Sequence, residues 1–239
     1  MDRKEIEQYF DDAVMARPYS FSIGGQCFYL YPVSLGKMLF LQRKLESLSV
    51  NMNNVLGSVS MEALRLVTEK RKECVSFICA HTCKDKEELF DVDFFSEREA
   101  FLGDNLSDDA VASLMMTLLT TDKTALFLQH YGIDKEQQRM SAVIAAKNKN
   151  KSNDLVFGGK TVYGTLIDAA CERYGWTKDY VVWGIDYASL RLMLADKVTS
   201  MYLSDDDLKK VPTSLRHAAS NAIKATKETM DEIKRMDWK

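Results

Sequence analysis

A chain of 239 residues with 46% apolar and 28% charged side chains can bury roughly 70% of the surface its unfolded form exposes, so it needs neither disulfides nor metals to hold a core. The net charge of −3 is evenly spread: residues 158–239 carry 13 Lys/Arg against 12 Asp/Glu, and residues 1–157 carry 19 against 23, which leaves no broad positive field for a nucleic-acid backbone. Five cysteines, at 27, 74, 79, 83 and 171, follow no secreted spacing, the N-terminus lacks the apolar core of a signal peptide, and no run of about 18 apolar residues occurs; these features point to reducing cytoplasm and exclude a membrane span.

With only 11 Gly and 3 Pro, the chain reads as helices joined by short loops. Residues 3–16 form a short helix, with Ile6, Tyr9, Phe10 and Val14 at helical spacing, ended by Arg17-Pro18. YSFSI and QCFYLYP flank Gly24-Gly25, a hairpin signal. Ser34 caps a helix over 35–48, and a polar stretch, NMNNVLGSVS, follows. Ser60 opens a long helix to about Thr82, residues 85–95 make a helical turn, and Ser96–Glu99 matches a capping box for the next helix. Ser107-Asp108-Asp109 starts another helix, interrupted by TTDKT and closed at Gly132.

KNKNKSND, residues 147–154, has no apolar content and alternates Lys with Asn, as a solvated linker does. Beyond it the pattern predicts helices over 161–173, 178–184, 187–203 and 213–237, with caps at Thr177, Asp186, Ser204 and Thr213. The expected fold is therefore mostly α, helical bundles with one small β-hairpin. The expected domains are an N-terminal hairpin-plus-helical domain over 1–146, a linker with a short strand over 147–157, and a C-terminal helical domain over 158–239.

The one cluster with metal-like chemistry is Cys74, Cys79, His81 and Cys83, but His81 points off the face that Cys79 and Cys83 share, and no second ligand pair exists. Small thiols in a core helix explain the pattern better, so neither a metal nor another cofactor is expected. His81, His130 and His217 sit in or at the ends of helices, none adjoins a Gly-rich elbow, and no G-x-S-x-G occurs; an enzyme is not expected. Gly24-Gly25 and Gly158-Gly159 belong to no phosphate-binding motif, and Asp205-Asp206-Asp207 reads as helix-start acids rather than a calcium loop. Residues 166–185 have a helix-turn-helix outline, yet the second helix offers Lys178, Asp179, Tyr180, Val181, Val182 and Trp183, a poor set for reading bases. What stands out is aromatic: Tyr163, Tyr174, Trp176, Tyr180, Trp183, Tyr187 and Tyr202 fall within 40 residues. Such rings fill small cores, and those left facing outward anchor protein interfaces. Tyr163, Trp176, Tyr180, Trp183 and Tyr187 are the candidate protein-binding residues.

The stretch from Tyr163 to Asp196, with ERYGW, then DYVVWGI, then LRLMLAD, resembles a segment of the tail-assembly chaperones of tailed bacteriophages, and FSIGGQCFYLYPVSLGKMLFLQRKLESL is similar to the opening of such proteins. The resemblance covers about a third of the chain. It implies a non-enzymatic protein that holds the long, aggregation-prone tape-measure protein, or another tail component, in the host cytoplasm during tail morphogenesis, with self-association as an option. A structural virion protein of the connector or baseplate and a helix-turn-helix DNA-binding regulator are the alternatives.

Overall fold

The computed structural model describes residues 3–120, 122, 124–148, 161–196, 206, 209 and 211. It is mostly α-helical with one two-stranded antiparallel hairpin, as the sequence pattern predicts. The chain divides into two units, Met1–His130 with Gly158–Asp196, and Tyr131–Phe157 with Lys197–Lys239.

The first unit opens with α1 (Arg3–Val14), then β1 (Tyr19–Ile23) and β2 (Gln26–Leu30). Gly24 and Gly25 both adopt positive φ (56° and 75°), which is what a two-residue turn between twisted strands requires. The register pairs Phe21 with Phe28, their rings stack at 5.6 Å, and Phe28 meets Phe101 at 5.7 Å. This face of the hairpin thereby joins the core. Helix α2 (Leu35–Leu48) is capped by Ser34, whose hydroxyl accepts from the Lys37 amide.

Helix α3 (Met52–Thr82) is the central element, buried through Ala63, Leu66, Val67 and an unbroken stretch from Cys74 to Thr82. It packs on α2, on α5 (Val92–Asn105) and most extensively on α6 (Asp108–Leu119). Its start differs from the Ser60 cap read from the sequence. Asn51 caps instead, accepting from the amides of Asn53 and Asn54, and the helix departs from helical geometry at Ser58 (φ −160°, ψ 97°) and again at Lys70 (φ −143°, ψ 45°). The polar NMNNVLGSVS stretch is therefore mostly helical. What holds it is the fully buried Glu62, which accepts from the Asn51 amide at 2.8 Å, the Asn54 side chain at 2.8 Å and the Arg65 guanidinium at 2.6 Å. Glu62 belongs to a later turn and reaches back 11 and 8 residues to Asn51 and Asn54, a pairing that i, i+3 and i, i+4 spacing does not announce.

Between α3 and α5 lies α4 (Lys86–Phe90), capped by Asp85. The capping box at Ser96 is not used: Asp91 caps α5 by accepting from the Phe94 amide at 3.0 Å, and Ser96 lies exposed inside the helix. Arg71 of α3 donates to the carbonyls of Gly103 and Leu106 and pairs with Asp108, closing the α5–α6 turn. Helix α7 (Thr124–His130) follows the TTDKT break and packs against α1, where Phe10 and Phe127 meet edge-to-face at 5.5 Å.

The helix expected over 161–173 is present as one continuous helical stretch over 162–174, in which a π-helical turn, Tyr163–Ile167, leads into α9 (Asp168–Tyr174), which ends on Gly175 in the left-handed region (φ 66°). The helix expected over 178–184 is present too, with a π-helical turn over Tyr180–Gly184, and α10 (Tyr187–Ala195) is capped by Asp186. These elements fall in a different unit from the one that the expected domain over 158–239 would make. They belong to the unit of residues 1–130, tied to it by a Ser34–Asp186 bridge and by the Tyr187 amide donating to the Val33 carbonyl at 2.7 Å. Helix α2 thus serves two cores: Leu41 and Leu48 face the α3 cluster, and Leu35 sits in a second cluster with Ile167, Ala170, Val181 and Leu190.

Of the second unit, the structure describes Tyr131, Gly132, α8 (Ile133–Asn148), for which the sequence analysis gives no element, and Asp206, Lys209 and Val211. Arg139 pairs with Glu136 on α8 at 3.0 Å. The linker and strand expected at 147–157 lie outside the described residues except for 147 and 148, which end α8. Gly158-Gly159, Tyr202, His217, the caps Ser204 and Thr213 and the helix over 213–237 also lie outside them, as does the end of the helix over 187–203. Among the described residues no single helix is long and apolar enough to cross a membrane.

Candidate protein-binding surface

Gly175 breaks α9 and lets the chain double back, which places Trp176 beside Tyr174 and Tyr180. Tyr174 and Trp176 stack with centroids 4.5 Å apart and planes at 25°, and Trp176 meets Tyr180 edge-on at 5.1 Å. The Tyr174 hydroxyl donates to the Met193 carbonyl at 2.9 Å, and the Arg173 guanidinium lies over the Tyr174 ring. The ladder is thereby fixed at its inner end. Its outer end is open: Trp176 is half-buried and Tyr180 is 45% exposed. Stacked rings held by a hydrogen-bonded hydroxyl lose little freedom on binding, which suits an interface anchor.

The other candidates divide differently. Trp183 is turned inward: a Cβ on Gly36 would lie 2.7 Å from its ring, and its other contact is the edge of Phe90 at 5.7 Å. It keys the 180–184 turn onto α2. Tyr187 is half-buried under the Arg191 guanidinium at 5.5 Å, and its amide makes the bond to Val33. Tyr163 opens the first π-helical turn, and its side chain lies outside the described residues. The structure therefore brings Trp176 and Tyr180 together and leaves Trp183 and Tyr187 as packing residues. Tyr174, noted in the aromatic run but not singled out, completes the ladder. Gly184, where a Cβ would meet the Tyr180 ring, is a further part of this surface that the sequence analysis does not single out.

The segment with a helix-turn-helix outline buries Val181 and exposes Lys178, Asp179 and Tyr180, with Asp179 paired to Lys86 at 2.9 Å. Its second helical piece covers residues 178–184, of which Tyr180–Gly184 form a π-helical turn.

The thiol cluster is core. Cys74, Cys79 and Cys83 are all buried, with the Cys79 thiol directed at the Phe95 carbonyl and the Cys83 thiol at the Cys79 carbonyl. Burial pushes the Cys74 thiol up to about 11, and the Cys83 contact together with burial raises Cys79. The raised Cys74 and Cys79 thiols stay protonated, while the Cys79 contact, with the Lys37 and Arg98 charges, lowers Cys83. His81 packs edge-on to Phe77 at 4.8 Å, and burial, reinforced by the Lys37 charge, takes it down to about 3, so it stays neutral. Among the described residues no group of three or more His, Cys, Asp or Glu side chains could hold a metal. Comparison of the chain with protein-family models, curated proteins and solved structures finds no match.

Proposed function

We propose that this protein is a non-enzymatic binding protein that covers the apolar face of a helical client. On the resemblance of residues 163–196 to phage tail-assembly chaperones, we propose further that the client is a tape-measure protein held in the host cytoplasm. The observation that carries the reading is the open end of the Tyr174–Trp176–Tyr180 ladder: large, stiff, half-polar rings presented outward from a pinned base. An amphipathic client helix offers rows of apolar side chains at i, i+3 and i+4 that such a ladder can engage.

Co-expression with the long helical protein encoded beside this chain tests it. The wild type is expected to raise the client's soluble fraction, and a Trp176→Ala/Tyr180→Ala variant with unchanged thermal stability to lose that effect. Unchanged client solubility with the wild type would sink the proposal. Stoichiometric recovery of the chain from purified virions would instead make it a structural component.

A further inference from the structure

The larger unit also contains a cleft of about 320 Å3, in the size range of small-ligand sites, which the aromatic ladder does not enter. Its lining includes Tyr31, Ser34, Lys37, Lys84, Trp183 and Asp186. Lys37 is the unusual member, a lysine only 5% exposed. Its Nζ donates to the carbonyl of His81 at 2.9 Å and to that of Cys83 at 2.7 Å, at the C-terminal end of α3. Those two bonds explain why a cation is tolerated there. An ammonium has three donors, however; the Tyr31 ring lies 5.9 Å from Nζ, and no oxygen or nitrogen acceptor among the described residues takes the third.

The charges around the cleft narrow what could complete the set. Asp186 and Asp85, which also lines it, are engaged as helix caps, accepting from the amides of Ser189 and Glu88. They would repel a ligand carrying several negative charges. Leu89, Ile185 and the Trp183 ring supply apolar wall. A neutral carbonyl would satisfy the open N–H but leave the buried charge uncompensated, whereas a carboxylate does both. We propose that Lys37 binds the single carboxylate of an apolar-bodied acid in this cleft, either a free small acid or the C-terminus of a peptide. This site is distinct from the proposed client surface.

The test uses the full chain and the probe N-acetyl-leucine, titrated by calorimetry against N-acetyl-leucinamide, which differs only in lacking the charge. The acid is expected to bind at least about tenfold more tightly, the increment of one charge-assisted hydrogen bond. Acetyl-Gly-Gly-Leu separates the sources: tighter binding than N-acetyl-leucine identifies a chain terminus, and equal or weaker binding a free acid. Lys37→Met is expected to abolish the preference for acid over amide. Because that variant also loses two bonds at the end of α3, the wild-type Lys37 ammonium resonance gives an independent reading and should shift with the acid and not with the amide. Equal binding of acid and amide, no binding of either, or an unmoved ammonium signal overturns the proposal.

Discussion

Glu62 and His81 are buried side chains whose ionisation differs from the unfolded chain in ways that set the acid stability of the first unit. The hydrogen bonds from Arg65, aided by those from Asn51 and Asn54, hold the Glu62 carboxyl at about 2, against 4.5 when free. An unfolded chain therefore binds the proton first as pH falls, so the stabilisation by Glu62 is complete above about 4.5 and is lost towards 2. His81 is neutral down to about 3 but takes a proton near 6.5 when unfolded, so its contribution declines from about 6.5 downward. Urea unfolding across pH should show stability falling in two overlapping stages. Glu62→Gln is expected to cost about 3 kcal/mol at pH 7 and to flatten the lower stage, and His81→Phe to flatten the upper. Equal pH slopes in wild type and variants would contradict this account. Neither residue was legible in the sequence as a determinant of stability. Glu62 looks like one more surface acid of a helix and His81 like a candidate ligand or base; the clamp of Arg65, Asn51 and Asn54 decides the first and burial in the core the second.

Several elements could be read locally because their signals are local. Gly24-Gly25 between two alternating runs fixes the hairpin, and Ser34, Ser107 and Asp186 cap where a cap was expected. The Ser96 capping box failed because Asp91, five residues earlier, already satisfies the start of α5 and leaves Ser96 inside a continuing helix. Cap energetics make that distinction measurable: Asp91→Ala should lower stability by about 1 kcal/mol, while Ser96→Ala at an exposed helical position should be neutral or slightly stabilising. Thermal melts of the two variants decide it, and the reverse order would restore the Ser96 cap. The π-helical turns had no signature, and with them went the direction each aromatic faces. Gly36 shows the consequence. It reads as an unremarked glycine in the first turn of α2, yet Trp183 occupies the space a methyl group would need. Gly36→Ala should cost about 1–3 kcal/mol through overpacking and move Trp183 towards water, seen as red-shifted fluorescence. In a Trp183→Ala background the same change should cost much less, and an undiminished cost in that background would remove Trp183 as the cause.

At the scale of the whole chain, the KNKNKSND stretch invited a boundary between an N-terminal and a C-terminal domain, because a polar run without apolar residues is a good local marker of a solvated segment. The packing follows a different division, since α2 presents a second apolar face through Leu35 and Met38 that the 163–195 elements cover. Composition could not reveal this: both sides of the stretch are equally apolar, and the partner of a helical face is a property of the fold. If Gly158–Asp196 completes the unit built by residues 1–130, the shorter piece cannot behave as a folded domain. A fragment ending at His130 would expose Leu35, Met38 and the Gly36 notch and would lose the Val33–Tyr187 and Ser34–Asp186 backbone ties. It should bind a hydrophobic dye and unfold with a broad, low-slope urea transition, since the urea slope scales with the surface a cooperative unit exposes. Adding a peptide of residues 158–196 in trans should restore part of the slope and reduce dye binding, because the missing face is then covered. A fragment of 1–130 that unfolds as sharply as the full chain and ignores the added peptide would show that the first 130 residues form a complete folding unit without the 163–195 elements.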